Sequence, residues 1–196
     1  MALAPGLRDP VHDAQRVFRA VMDALARPGR VQALTLTLSP PAPLTPELAA
    51  LALTLADADA PLWLDAPLSA SPEVAAFLRF HTGAPVVAEP ADAAFALVSD
   101  PARCPDFAEF AQGTPAYPDR SATLVLALDR LAEDGRLVLE GPGIRGRAHL
   151  SAAPLPPDCA ARLAANHARF PLGIDLLLAA PGRLAGLPRS TRVTEA

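Results

Sequence analysis

Four short apolar runs constrain this chain more than any other feature: Pro61 to Leu64, Ala94 to Val98, Thr123 to Leu128 and Gly173 to Leu178. Each is apolar almost throughout and so reads as a strand buried on both faces, which requires helices packed above and below it. The intervening sequence supplies them. Val11, Ala14, Val17, Phe18, Val21, Met22 and Leu25 fall on one face at helical spacing, so residues 10 to 26 form an amphipathic helix, opened by Asp9-Pro10 and closed by Pro28-Gly29. Thr45-Pro46-Glu47 opens a second helix to about Ala56. Ser71-Pro72-Glu73 opens a third, closed by His81-Thr82-Gly83. A short helix over Phe107 to Ala111 and a longer one from Pro157 to about Arg169 complete the set. Val31 to Leu38, with Leu34, Leu36 and Leu38 alternating with threonine, adds a strand. Leu137 to Glu140 is expected to return beside Thr123 to Leu128 across the loop DRLAEDGR, with Ala148 to Leu150 following and Leu187 to Val193 ending the sheet. The expected fold is three-layer α/β, a mixed sheet flanked by helices, in one domain spanning residues 1 to 196.

Composition narrows the class further. Half of the residues are apolar, and the 23 prolines are scattered between apolar segments as loop punctuation. The longest apolar window, around Leu48 to Ala56, falls far short of the roughly 18 to 20 residues that span a bilayer. The N-terminal MALAPGLRDP lacks the basic flank and apolar length of a signal peptide, so a cytoplasmic location is expected. Cys104 and Cys159 then read as free thiols. A net charge of -4 with no basic run excludes nucleic acid as a partner. All 17 basic residues are arginine. Without a lysine there is no Walker A amine and no Schiff base with pyridoxal phosphate (PLP), and what remains is a set of permanently charged forks suited to carboxylate or phosphate.

Gly141-Pro142-Gly143-Ile144-Arg145-Gly146 fits the dinucleotide pattern G-x-G-x-x-G, but that pattern cradles phosphate only where it follows a strand and opens a helix. Residues 147 to 151 alternate like a second strand, Pro154, Pro156 and Pro157 forbid a helix, and Pro142 removes a donor, so the stretch reads as a strand-to-strand corner. Asp57 and Asp59 form a D-x-D at a helix end. There they read either as weak metal candidates or as caps of the turn before Pro61. Asp175 lies in an apolar strand and should be paired, with Arg189 and Arg192 the nearest partners; the candidate buried ion pair is Asp175 with Arg192. The loop from Gly113, with Tyr117 and Arg120, is polar enough to hold an anion. Arg27, Arg120, Glu140 and Arg189 are the candidate anion-binding or interface residues. The four histidines show no metal-ligand spacing, and no nucleophile, base and oxyanion donor can be assembled, so no catalytic residue is assigned.

Taken together, DAQRVFRAVMDALARPGRV (13 to 31), TLADADAPLWL (54 to 64), RFHTGAP (79 to 85), GT with SATLVL (113 to 126), LEGPGI (139 to 144) and FPLGIDLLLA with LPRSTRV (170 to 193) resemble, in this order and over nearly the whole chain, the PhnH family, the H subunit of the carbon-phosphorus lyase system. The resemblance implies a cytoplasmic protein of bacterial phosphonate utilisation, working with subunits G, I, J and L. It implies a role in the step that joins alkylphosphonate to the ribose triphosphate of ATP with loss of adenine. It also implies a fold similar to PLP-dependent transferases with the cofactor site lost, and a homodimer when isolated. The competing reading is a self-sufficient phosphoryl- or nucleotide-handling enzyme using Asp57, Asp59, Arg120 and Glu140.

Overall fold

The structure, a computed structural model, describes residues 3 to 35 and 37 to 195. In chain order its elements are α1 (Pro10–Ala26), β1 (Gln32–Ala33), α2 (Pro46–Leu55), β2 (Leu62–Leu64), α3 (Ala66–Ser69), α4 (Pro72–Thr82), β3 (Val86–Val87), β4 (Phe95–Val98), β5 (Thr123–Ala127), β6 (Arg130–Glu140), β7 (Ala148–Ala153), α5 (Cys159–Ala168), β8 (Asp175–Ala180), β9 (Arg183–Leu187) and β10 (Arg192–Glu195). The helix starts follow from their caps. Asp9, Thr45, Asp65 and Ser71 each accept a backbone N-H with a side-chain oxygen, and proline fills the first turn of each helix. Gly83, left-handed at φ 71, stops α4 as its sequence announces.

Seven strands form one mixed sheet in the order β1-β9-β8-β5-β4-β2-β3. The run from β8 to β3 is parallel, and β9 is antiparallel to both of its neighbours. Side chains of the central strands alternate between two cores. Leu97, Val125, Leu177 and Leu184 face Val17 and Val21 of α1, Leu48 and Leu51 of α2, and Phe77 and Leu78 of α4. Ala96, Val98, Leu124, Leu126, Leu176 and Leu178 face the opposite way, onto Leu163 of α5, Phe107, Phe110, and Leu131, Leu139, Leu150 and Val193. Both sheet faces are therefore dry, which is why these strands carry leucine and valine at successive positions; each such side chain contributes roughly 1.5 to 3 kcal/mol when buried.

Three expectations need correction. Residues 137 to 140 do not return beside β5, because β5 is already flanked by β4 and β8 and has no free edge. Instead the chain leaves the large sheet at Leu128, and Asp129 N-H donates to Ala153. β6 then runs straight through DRLAEDGR and, with β7 and β10, forms a separate antiparallel sheet in the order β10-β6-β7. Residues 187 to 193 likewise split, with Leu187 in β9 of the large sheet and Arg192 and Val193 in β10 of the small one. Finally, the strand expected over 31 to 38 forms a ladder only at Gln32 and Ala33, and ends with Leu34 N-H donating to the Gly182 carbonyl at 2.9 Å, because β9 begins at the Pro181-Gly182 turn. Leu34 and Leu38 are nevertheless buried; Leu36 lies outside the described residues.

Candidate functional site

The β6–β7 connection is the G-x-G-x-x-G stretch, and it is a corner between strands with no helix behind it. Gly141, Gly143 and Gly146 adopt φ 142, 80 and 75. Gly143 lies so close to the end of α1 that a Cβ there would stand 2.1 Å from the Ala26 carbonyl oxygen. The β6–β7 ladder jumps from Ala132↔Ser151 to Leu137↔Leu150, so Glu133 to Arg136 bulge outward. From that bulge Glu133 accepts from Val31 N-H at 2.8 Å and from Arg30 at 3.0 Å. Glu140 accepts from Arg147 Nε at 2.7 Å. Between the bulge, the corner and the α1–β1 connection lies a groove of about 320 Å³ bordered by Arg30, Glu133, Gly143, Arg145, Arg147 and His149. Glu140 is thus a carboxylate that steadies an arginine beside this groove.

Asp175 opens β8 and pairs with Arg189, not with Arg192. Its Oδ1 accepts from Arg189 N-H at 2.8 Å and Nε at 3.1 Å, its Oδ2 from Nη2 at 2.5 Å, and Arg189 Nη1 reaches the Pro118 carbonyl at 2.8 Å. Strand register makes the choice: Leu176 sits opposite Leu187, so the residues just past Leu187 return over Asp175, whereas Arg192 is already in β10 opposite Glu140. The pair ties β8 to the 113–120 loop with both side chains largely buried. It also bears on PLP, which a fold of the transferase kind would carry. The chain has no lysine to hold that cofactor, and both oxygens of Asp175 are engaged by Arg189, so the residues present do not fit it.

The other candidates stand apart. Asp57 Oδ1 accepts from Asp59 N-H at 2.9 Å, capping its turn. Arg120 lies over the Tyr117 ring, 4.3 Å from its centroid. Arg27 ends α1 and pairs with Asp23 on the surface. Apart from the Asp57–Asp59 turn, no hydrogen bond or ion pair joins any two of Asp57, Asp59, Arg120 and Glu140 among the described residues. Nor do three or more His, Cys, Asp or Glu side chains gather there as a metal site would require.

Sequence reading missed Asp65, which is 5% exposed. It receives Ser99 N-H at 2.6 Å, Asp100 N-H at 2.8 Å, the Ser99 hydroxyl at 3.0 Å and Leu68 N-H at 3.3 Å, joining the ends of β2 and β4 to α3. Its local signal is the cap-and-proline pattern Asp65-Ala66-Pro67. Both cysteines are buried, and burial pushes the Cys104 thiol up to about 12 and the Cys159 thiol to about 11, against the opposing pull of Arg162. Both stay protonated at pH 8. A disulfide exchange reagent should therefore titrate neither thiol in the native protein and both in urea.

One apolar feature on the surface belongs to α1. Val17, Val21 and Ala24 face the sheet, yet Val11, Phe18 and Met22 are 61%, 48% and 53% exposed and form a second stripe on the outer side. A shallow groove of about 310 Å³ runs beside it, bordered by Val11, Ala14, Phe18 and Thr54. Phe18 is the midpoint of the helix.

A model of the bacterial phosphonate metabolism protein family PhnH matches residues 5 to 194. The chain belongs to the PhnH family. It is 43% identical over 185 residues, 94% of this chain and 92% of the relative, to the PhnH subunit of alpha-D-ribose 1-methylphosphonate 5-triphosphate synthase from Rhizobium meliloti strain 1021. It is 35% identical over 81 residues, 41% of this chain and 42% of the relative, to HtxG of Stutzerimonas stutzeri, provisionally named a C-P lyase subunit protein. The outer stripe of α1 and the arginine-lined groove are two surfaces of this PhnH-family chain that its own core does not use. Among the described residues no helix is long and apolar enough to cross a membrane.

Proposed function

We propose that this PhnH-family chain is a cytoplasmic, non-catalytic subunit of a carbon-phosphorus lyase assembly, acting as one domain. In this reading it is required with subunits G, I and L for coupling alkylphosphonate to the ribose triphosphate of ATP with release of adenine, and subunit J is a further partner. The observation that carries the subunit role is the second apolar stripe of α1, since a helix that already buries one face against its own sheet has no monomeric use for Val11, Phe18 and Met22. Alone, the chain closes this stripe on a second copy as a homodimer. The mixed sheet flanked by helices supports kinship with PLP-dependent transferases, and the absence of lysine accords with a lost cofactor site.

Phe18→Glu tests the docking role. The helix position is exposed, so stability should change by less than about 0.5 kcal/mol, while association should weaken by about a hundredfold, the loss of about 2.7 kcal/mol typical of a central aromatic anchor. Light scattering behind gel filtration reads the homodimer, and co-purification with subunits G and I reads the assembly. Wild-type levels of both in the variant would remove α1 as the docking element. Separately, the purified chain with ATP and methylphosphonate should release no adenine, and turnover by the isolated protein would contradict a non-catalytic role.

A further inference from the structure

The groove below the Gly141–Gly146 corner combines three features that point to a ligand. Arg30 and Arg147 each pair with one carboxylate, Arg30 with Glu133 at 3.0 Å within the groove lining and Arg147 with Glu140 at 2.7 Å, which biases where their remaining N-H donors lie. Arg145, on the corner between Gly143 and Gly146, has no acidic partner among the described residues, so three guanidinium groups border the groove against two carboxylates. The corner adds backbone donors. Ile144 N-H is spent on Gly141 at 3.2 Å, but the N-H groups of Gly143 and Arg145, both of which line the groove, have no acceptor among the described residues. A surplus arginine beside unspent backbone N-H groups in a left-handed turn is the arrangement that binds oxyanions. At about 320 Å³ the groove is also in the range of small-ligand sites.

We propose that this groove binds the phosphate or phosphonate group of a small anionic ligand. Arg145 and the corner N-H groups grip the tetrahedral oxyanion, and Arg30 and Arg147 act as forks oriented by Glu133 and Glu140. The glycines of the G-x-G-x-x-G stretch then serve an anion without the helix N-terminus that a dinucleotide site needs, and the site lies apart from the outer stripe of α1. The inference goes beyond the subunit role and does not depend on it: Phe18→Glu can fail to dock and still bind anion.

Titration calorimetry of the full chain at low, matched ionic strength tests this, with inorganic triphosphate as the probe and methylphosphonate as competitor. One triphosphate per chain is expected, weakened at least about tenfold by Arg145→Ala and by Arg147→Ala. Arg103→Ala, which removes the same charge from an exposed position elsewhere, should bind as wild type does. Competition by methylphosphonate identifies the occupant as a phosphonate head, and its failure beside tight triphosphate binding identifies a polyphosphate tail; either supports the site. No heat with wild-type protein overturns the proposal, as does equal binding by wild type, Arg145→Ala and Arg147→Ala. Glu140→Gln provides a second check because it keeps all three arginines. It frees Arg147 to move and should weaken triphosphate only if the fork must be oriented, whereas tighter binding in proportion to the lost negative charge would mean nonspecific attraction and would also overturn the proposal.

Discussion

Asp65→Ala should lower the unfolding free energy by about 3 kcal/mol, the cost of removing one carboxylate shared by a buried and three partly buried donors. Asp65 is not a surface cap. At 5% exposure it accepts two backbone N-H groups from the Ser99-Asp100 turn, a hydroxyl, and the Leu68 N-H that begins α3. Alanine leaves the buried Leu68 N-H without a partner and the partly buried Ser99 and Asp100 donors only partly solvated in the seam between β2 and β4. In thermal unfolding of a chain this size the loss corresponds to a midpoint about 10 °C lower. Asp65→Asn should fall between, since its oxygen can still accept while its NH2 group must face N-H donors. Ser99→Ala should cost only about 1 kcal/mol, because the two backbone contacts survive. The comparison that isolates the effect is Asp57→Ala, which removes a carboxylate from an exposed turn and should cost less than about 1 kcal/mol. Equal losses in the two variants would mean that the carboxylate of Asp65 does no more than cap α3.

The contrast between these two aspartates marks how far the chain could be read before its structure was known. Information carried within a few residues was legible: the caps of α1, α2 and α4, the glycine that ends α4, and the four apolar runs that became β2, β4, β5 and β8. Information carried between distant residues was not. Asp65 meets a turn 34 residues away, and no local pattern names Ser99 as its partner. The demand that Asp175 be paired followed from burial alone, but the choice of Arg189 over Arg192 rests on the β8–β9 register, a property of two strands together. The small sheet was missed for the same kind of reason. Residues 129 to 136 look like a loop because Glu133 to Arg136 form a bulge, yet the strand continues on both sides of it. The glycine corner shows both limits at once. Its turn character was legible in Pro142 and the alternating residues after it, whereas the groove beneath it needs Arg30 from one end of the chain and Glu133 from the bulge, brought together by folding.

Gly186→Val should displace α1, and the helix that carries the proposed docking stripe should lose docking and stability together. Gly186 lies in β9, opposite Leu177 of β8, and an added Cβ would stand 2.8 Å from the carbonyl carbon and oxygen of Ala24 and from Leu25 N. Those are backbone atoms of α1, so no rotamer change can make room, and the helix must move off the sheet or bend. Overpacking of this kind costs about 1 to 3 kcal/mol for a methyl, and the two further carbons of valine should bring the loss to about 3 kcal/mol or more. A paired measurement separates this from a surface effect. Gly186→Ala and Gly186→Val should lower the urea midpoint in that order and weaken self-association with it, whereas Phe18→Glu should weaken association about a hundredfold at a nearly unchanged midpoint. Combining Gly186→Ala with Ala24→Gly should bring no rescue, because deleting the Ala24 methyl leaves the opposing carbonyl in place and adds about 1 kcal/mol of helix destabilisation. Recovery in the double variant would show that a side chain, and not the helix backbone, sets how closely α1 approaches the sheet, and the position of the outer stripe would then no longer follow from a single glycine.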